Sequence, residues 1–315
     1  MVSAPAVQSG QVHRYNKKLV AFEHTTPSDE PSKHILLWIG GLGDGLHTVS
    51  YPACLAQKLP SGWSLAQVIT RSSYNGWGSG SLERDAKDMV QSVNYFRKSK
   101  PNGGKIVIMG HSTGCQDLME YLTGKGSTER PVIDGAILQA PVSDREALKK
   151  EMEEATCDKI LNTSREWIAA GRELDVLPES VDGRFFGKAS TITAYRWHSL
   201  LSPGGDDDYF SSDLSDERLQ ATFGAIKKES PLLILYSGAD EYAPPSIDLK
   251  ALTEKWMGFV TRGGGLTDAG NGGVVSKASH NLENDDDNVL EDLCKRVTGF
   301  LAKVEAGFSN ENAHL

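Results

Sequence analysis

The pentapeptide Gly110-His111-Ser112-Thr113-Gly114 sets a serine between two glycines, each two residues away. A serine hydroxyl attacks a carbonyl carbon only when a neighbour takes its proton, so the motif needs partners elsewhere in the chain. In a G-x-S-x-G turn the serine sits where a strand bends sharply into a helix, and the small flanking residues let other backbone pack against the bend. Here the apolar run 105–109 precedes the motif, and a helical pattern with Leu118, Met119 and Leu122 follows it. Ser112 is therefore expected to be a nucleophile raised above the end of a sheet. The next helix N-terminus adds positive potential where an oxyanion forms.

For such a nucleophile the chain order is serine, then acid, then histidine. Only His198, His280 and His314 follow Ser112. His314 belongs to the last few residues, and His198 to an aromatic-bearing loop around Tyr195-Arg196-Trp197-His198 that suits packing or substrate contact. His280, in Lys277-Ala278-Ser279-His280-Asn281, comes after a weak strand and before a C-terminal helix, where a loop can carry its ring over the serine. It is the expected base. For the acid, the run 232–236 is a buried strand, and Ser237-Gly238-Ala239-Asp240-Glu241 leaves its C-terminal end, where open α/β sheets place their sites. Asp240 is the expected acid and Glu241 the alternative, with Asp248 and Asp268 less well placed. Two backbone N–H groups must also meet the oxyanion, one from the residue after the nucleophile and one from the loop after an earlier strand. Thr113 supplies the first. Gly40-Gly41-Leu42-Gly43-Asp44-Gly45 supplies the second, with Leu42 N–H the candidate, while Gly41 beside it is a candidate for substrate contact. This loop is not a dinucleotide loop, because G-x-G-x-x-G begun at Gly41 requires glycine where Leu46 stands.

Other chemistry-bearing residues are open to two readings. Arg71-Ser72-Ser73-Tyr74 follows a strand and should border a pocket, so Arg71 and Tyr74 either bind substrate or pack. His47, just beyond the glycine-rich loop, and Trp197, in Tyr195-Arg196-Trp197-His198, are further candidates for substrate contact. The triplets at 206–208 and 285–287 are all aspartate but do not continue into a calcium loop, so solvated acidic turns are favoured. Cys54, Cys115, Cys157 and Cys294 form no CxxC pair and are read as reduced, mostly buried thiols. No metal or organic cofactor is expected.

The elements that must hold these residues alternate in type. Apolar runs rich in β-branched residues at 34–39, 64–69, 105–109, 133–138 and 232–236, and a weaker one at 274–275, are separated by helical periodicity, as in a parallel sheet covered on both faces. Segments 12–15 and 19–22 are read as an antiparallel pair at the sheet edge. Leu82, Ala86, Met89, Val93 and Phe96 recur at spacings of three and four behind Ser81, a helix N-cap, and Leu290, Leu293, Val297, Phe300 and Val304 do the same near the end. Residues 142–230 break the rhythm, with charged helical sequence and no buried strand. The expected division is a core of 1–141 and 231–308, an inserted helical lid at 142–230, and a tail at 309–315.

Of the 315 residues, 39 % are hydrophobic and 24 % charged, an average balance for a globular protein with a large core. A net charge of −9 repels phosphate backbones and anionic lipid, so neither nucleic acid nor a membrane is an expected partner. No apolar stretch approaches a membrane span, and residues 1–15 lack a leader pattern, so a cytoplasmic protein is expected. Ala313-His314-Leu315 resembles a peroxisomal address, though three-residue matches arise readily by chance.

The strings Trp38-Ile39-Gly40-Gly41-Leu42-Gly43-Asp44-Gly45, Tyr51-Pro52, Arg71-Ser72-Ser73-Tyr74 and Gly110-His111-Ser112-Thr113-Gly114-Cys115-Gln116-Asp117 are similar to a fungal and plant α/β-hydrolase family. That family includes esterases of fusarinine-type hydroxamate siderophores. The resemblance implies an α/β-hydrolase fold, ester hydrolysis on a small-molecule substrate, and a nucleophile, acid and base at Ser112, Asp240 and His280. Lipase-like or polyketide-processing acyl hydrolysis, and a hydrolase-fold binding protein without turnover, are the alternatives.

Overall fold

Side chains alternate across a strand, so a strand covered on both faces needs a continuous apolar run. In the computed structural model, which describes residues 7–27, 31–187 and 191–308, the apolar runs form such strands. The strands are β1 (Gly10–Arg14), β2 (Val20–His24), β3 (His34–Ile39), β4 (Trp63–Val68), β5 (Ile106–His111), β6 (Gly135–Gln139), β7 (Leu232–Ser237) and β8 (Gly273–Val275). They make one sheet in the order β1-β2-β4-β3-β5-β6-β7-β8. Pairs from β4 to β8 are parallel, whereas β1 and β2 are antiparallel to each other and β2 to β4. The early hairpin is thus at the sheet edge, each strand limit one or two residues from the expected one. Asn16 Oδ1 accepts from the Lys18 and Leu19 N–H groups and closes the turn, which takes Tyr15 and Leu19 out of the ladder.

The helices are α1 (Tyr51–Ala56), α2 (Leu82–Ser99), α3 (Gly114–Thr123), α4 (Asp144–Glu151), α5 (Glu154–Ala169), α6 (Glu179–Asp182), α7 (Ala194–Leu201), α8 (Asp216–Ala221), α9 (Leu249–Arg262) and α10 (Asp287–Ala306). Ile35, Leu37, Ile108 and Leu138 pack on one face of the sheet with α2, α3 and α9. Leu36, Trp38, Met109 and Ile137 pack on the other with α1 and α10. The α2 stripe expected from spacing is wholly buried, and Ser81 accepts from the Arg84 N–H as its cap.

Between β6 and β7 lie five helices, α4 to α8. Residues as far as Leu201 form their own apolar cluster, including Leu148, Met152, Ile160, Leu161, Trp197 and Leu200. Tyr209, Phe210, Leu219 and Phe223 instead join the main core. Phe210 and Phe223 lie against Trp256 of α9, with ring centroids 5.5 and 5.3 Å apart, so the second half of the insertion is anchored to the sheet. The stretch Tyr195-Arg196-Trp197-His198, expected to be a loop, is part of α7, whose Thr193 cap accepts from the Arg196 N–H.

Candidate active site

The bend after β5 depends on its two glycines. A Cβ on Gly110 would lie 2.3 Å from the Gly114 carbonyl oxygen, and one on Gly114 would lie 2.3 Å from that of Ile39. Ser112, between them, has φ 52, a left-handed conformation that costs a non-glycine residue of order 1–2 kcal/mol. Its N–H donates to the Gln139 carbonyl at 3.1 Å, which ties the strained residue to the end of β6.

Asp240 and His280 come from loops after β7 and β8. The His280 Nδ1–H donates to Asp240 Oδ2 at 2.8 Å, and the Asp240 carboxylate is buried. Glu241, the alternative acid, has a different contact: its Oε2 accepts the His280 backbone N–H at 2.9 Å. One carboxylate thus orients the ring and the next holds the loop. Leu42, Ser112, Thr113 and His280 line one cleft of about 370 Å³, together with Asp44, His111, Asp144, Glu151, Phe185, Phe186, Glu241 and Tyr242. Among the described residues, neither the Leu42 nor the Thr113 N–H is bonded to a protein acceptor. Asp44 shapes the glycine-rich loop by accepting from the Gly41 N–H at 2.8 Å and from the Thr48 hydroxyl at 2.8 Å.

Of the remaining candidates, Gly41 lies behind the serine, where its added Cβ would be 2.6 Å from Ser112 Cβ. His47, Arg71, Tyr74 and Trp197 do not line the cleft. Arg71 is paired with Asp88 at 2.9 Å. Tyr74 braces the loop, its hydroxyl accepting from the Leu46 N–H at 2.9 Å. His47 packs edge-on against Phe22, and burial lowers its pKa. Trp197 is wholly buried in the helical insertion, its indole N–H directed at Asp182. Each of the four is engaged by another residue of the protein.

Several contributors escaped the sequence reading. Gln139 sits under the site: its Oε1 accepts from the Tyr51 hydroxyl at 3.0 Å and from His111 Nδ1 at 2.5 Å. Its Nε2 donates to the His280 carbonyl at 3.3 Å. A glutamine closing the apolar run Ile137-Leu138 was the available signal, because a buried amide needs partners. Burial, aided by the His280 neighbour, lowers the His111 pKa to about 4, so this ring is neutral. Asp144, at the start of α4, accepts from Thr113 Oγ1 at 3.2 Å and from Gln116 Nε2 at 2.7 Å. Burial, then the charge of Asp207, raises its pKa to about 7.

Known proteins resemble this chain in sequence and in fold. The family described as Protein of unknown function (DUF1749) matches residues 1–302. A fusarinine C esterase, sidJ, of Aspergillus fumigatus is 37 % identical over 93 % of this chain and 95 % of its own. The structure of the siderophore hydrolase EstB from Aspergillus fumigatus superposes with a TM-score of 0.82 at 36 % identity, over 96 % of this chain and 99 % of that one. A monoglyceride lipase of Saccharomyces cerevisiae, 13 % identical with a TM-score of 0.63 over 96 % of this chain and 98 % of that one, shares the fold. That fold is the α/β-hydrolase fold.

Proposed function

The chain belongs to the DUF1749 family, and from that membership and the geometry of the cleft we propose a serine esterase that works through an acyl-enzyme. The observation that carries this is that a left-handed serine and an imidazole held 2.8 Å from a buried carboxylate line the same cleft. Ser112 Oγ attacks the ester carbonyl while its proton passes to His280, and Asp240 stabilises the imidazolium through Nδ1. The Leu42 and Thr113 N–H groups bind the tetrahedral oxyanion, helped by the N-terminus of α3. Collapse expels the alcohol, which takes the proton from His280. Water then repeats the sequence on the acyl-serine and releases the acid.

The substrate class we propose is an ester of a fusarinine-type hydroxamate siderophore, on the strength of the named relatives, with a part in iron homeostasis. The helical insertion supports a role as the wall or lid of the cleft, since Asp144, Ala147, Leu148 and Glu151 of α4 and Phe185 and Phe186 after α6 all line it. Four free cysteines suit a reducing compartment, so we assign the protein to the cytoplasm. Among the described residues no helix is long and apolar enough to cross a membrane, and Ala313-His314-Leu315 lies outside them.

The test is to incubate wild type and Ser112→Ala with iron-free and iron-loaded siderophore esters beside short-chain esters, identify products by mass, and label both proteins with a fluorophosphonate. We expect wild type to be labelled at Ser112 and to cleave siderophore esters, and the variant to lose about four or more orders of magnitude in rate with its melting temperature retained. Near-normal turnover by Ser112→Ala would end the nucleophile assignment, and cleavage of short-chain esters alone would end the siderophore one.

A further inference from the structure

Behind the glycine-rich loop lies a second, small cavity of about 20 Å³, sharing with the cleft only Leu42 and Thr113. Its walls include Gly41 and Leu42, Thr113 at the elbow, Asp85 of α2, Asp117 of α3 and Arg196 of α7. All three charged residues are at least nine-tenths buried. Asp85 Oδ1, Asp117 Oδ1 and Arg196 Nε have no hydrogen-bond partner. Arg196 is the one cationic side chain lining this space among the described residues, and its Nη1 is 2.6 Å from Asp207 Oδ2, within the same insertion. A buried carboxylate oxygen without a partner is costly, whereas a cavity of this size with several polar walls accommodates a bridging water.

We propose that Arg196 is a positioning residue for ester hydrolysis: through water in this cavity it holds Asp85 and Asp117, and so locks the helical insertion to the loop and elbow that carry the Leu42 and Thr113 N–H groups. The proposal rests on the esterase reading. The mechanical link is short, because the Asp117 N–H donates to the Thr113 carbonyl at 3.2 Å, so a shift of Asp117 moves Thr113. Burial, then the charge of Asp85, raises the Asp117 pKa, and Arg196 opposes that rise. Without the guanidinium, Asp85 keeps only the 4.0 Å approach of Arg84 Nε to its Oδ1, and no cation lining the cavity is left beside Asp117. The oxyanion donors then lose registry in the transition state more than substrate loses contact in the ground state, so the effect falls on kcat.

The experiment compares wild type, Arg196→Met, Arg196→Lys and Asp117→Asn as full-length proteins. Measurements are kcat and KM on a short-chain aryl ester, the inhibition constant of an alkylboronic acid, which forms a tetrahedral adduct, and the thermal melt. For Arg196→Met we expect kcat to fall at least about 30-fold with KM changed less than about threefold, and boronate affinity to fall in parallel. Arg196→Lys should recover part of both losses, since it restores the charge without the planar fork. A folded Arg196→Met with kcat within threefold of wild type, or one that loses kcat but keeps boronate affinity, overturns the proposal. Should Arg196→Met fail to fold, Asp117→Asn decides: it keeps the side-chain shape, and we expect at least a tenfold parallel loss in kcat and boronate affinity, with unchanged values overturning the proposal. Wild type that neither hydrolyses esters nor takes fluorophosphonate at Ser112 defeats the esterase reading and this proposal with it. An active wild type with indifferent variants defeats this proposal alone.

Discussion

Replacing Gly41 with alanine tests how closely the glycine-rich loop must approach the serine. The added Cβ would stand 2.6 Å from Ser112 Cβ, 3.1 Å from Ser112 Oγ and 3.2 Å from the His111 carbonyl oxygen. Non-bonded carbons prefer about 3.5–4.0 Å, so the loop or the serine must retreat by roughly 1 Å. The φ of Gly41 lies outside the left-handed region, so the substitution adds no backbone strain and its whole effect is steric. Moving a reacting group by about 1 Å costs roughly 100-fold in rate, or about 2.7 kcal/mol of transition-state stabilisation. The comparator is Gly126→Ala, at φ 78 with no atom within 4 Å of the new Cβ. It should cost about 1 kcal/mol of stability with no change in kinetics. Steady-state kinetics on a short-chain aryl ester, with denaturant melts of each protein, measure both effects. A folded Gly41→Ala enzyme with kcat/KM within threefold of wild type refutes the idea that this loop is pressed against the nucleophile.

Three further outcomes follow from the site. Ser112→Gly should abolish ester hydrolysis yet raise unfolding free energy by about 1 kcal/mol, because φ 52 suits glycine; a destabilised variant would contradict the strain. Among the described residues the cleft is lined by the carboxylates of Asp44, Glu151 and Glu241, by Asp144, whose pKa of about 7 leaves it partly charged, and by no lysine or arginine. An ester with a carboxylate on its acyl chain should therefore be hydrolysed at least about tenfold more slowly than its neutral isostere, with a gap that narrows in high salt; equal rates would count against a negative cleft. Lastly, His111 has a folded-state pKa of about 4, below its ordinary value of about 6.5. The unfolded chain then binds the proton first, so this contribution to stability is present above about pH 6.5, is lost as pH falls, and is gone below about 4. Urea melts at pH 7 and 5 should differ more for wild type than for His111→Gln, and identical pH dependence would show that this ring is not the cause.

Much of the architecture was legible because it rests on local periodicity. A strand buried on both faces requires an unbroken apolar run, which is why 34–39 and 232–236 could be read directly, and a helix docked on a sheet requires the stripe seen from Leu82 to Phe96. The elbow was legible for a similar reason, since glycines at 110 and 114 are imposed by backbone contacts within a few residues of Ser112 or on the adjoining strand. Chain order pointed to Asp240 and His280, but their 2.8 Å contact needed the loops after β7 and β8 to be neighbours in space. Trp197 and Arg71 show where such reading stops. An aromatic or a cation near a pocket in sequence looks alike whether it faces substrate or a private partner, and only packing assigned Trp197 to the core of the insertion and Arg71 to Asp88. The buried polar groups were least legible of all. Gln139 bonds residues 28 to 141 positions away, and Asp117 and Arg196 border one cavity from different helices, whereas no spacing rule reports a contact between distant segments. The sequence by itself determined which residues could do the chemistry and the elements that raise them. Which carboxylate takes the imidazole and which charges surround the Leu42 and Thr113 N–H groups was decided by the tertiary structure, because those energies depend on distances between chain segments that local pattern does not encode.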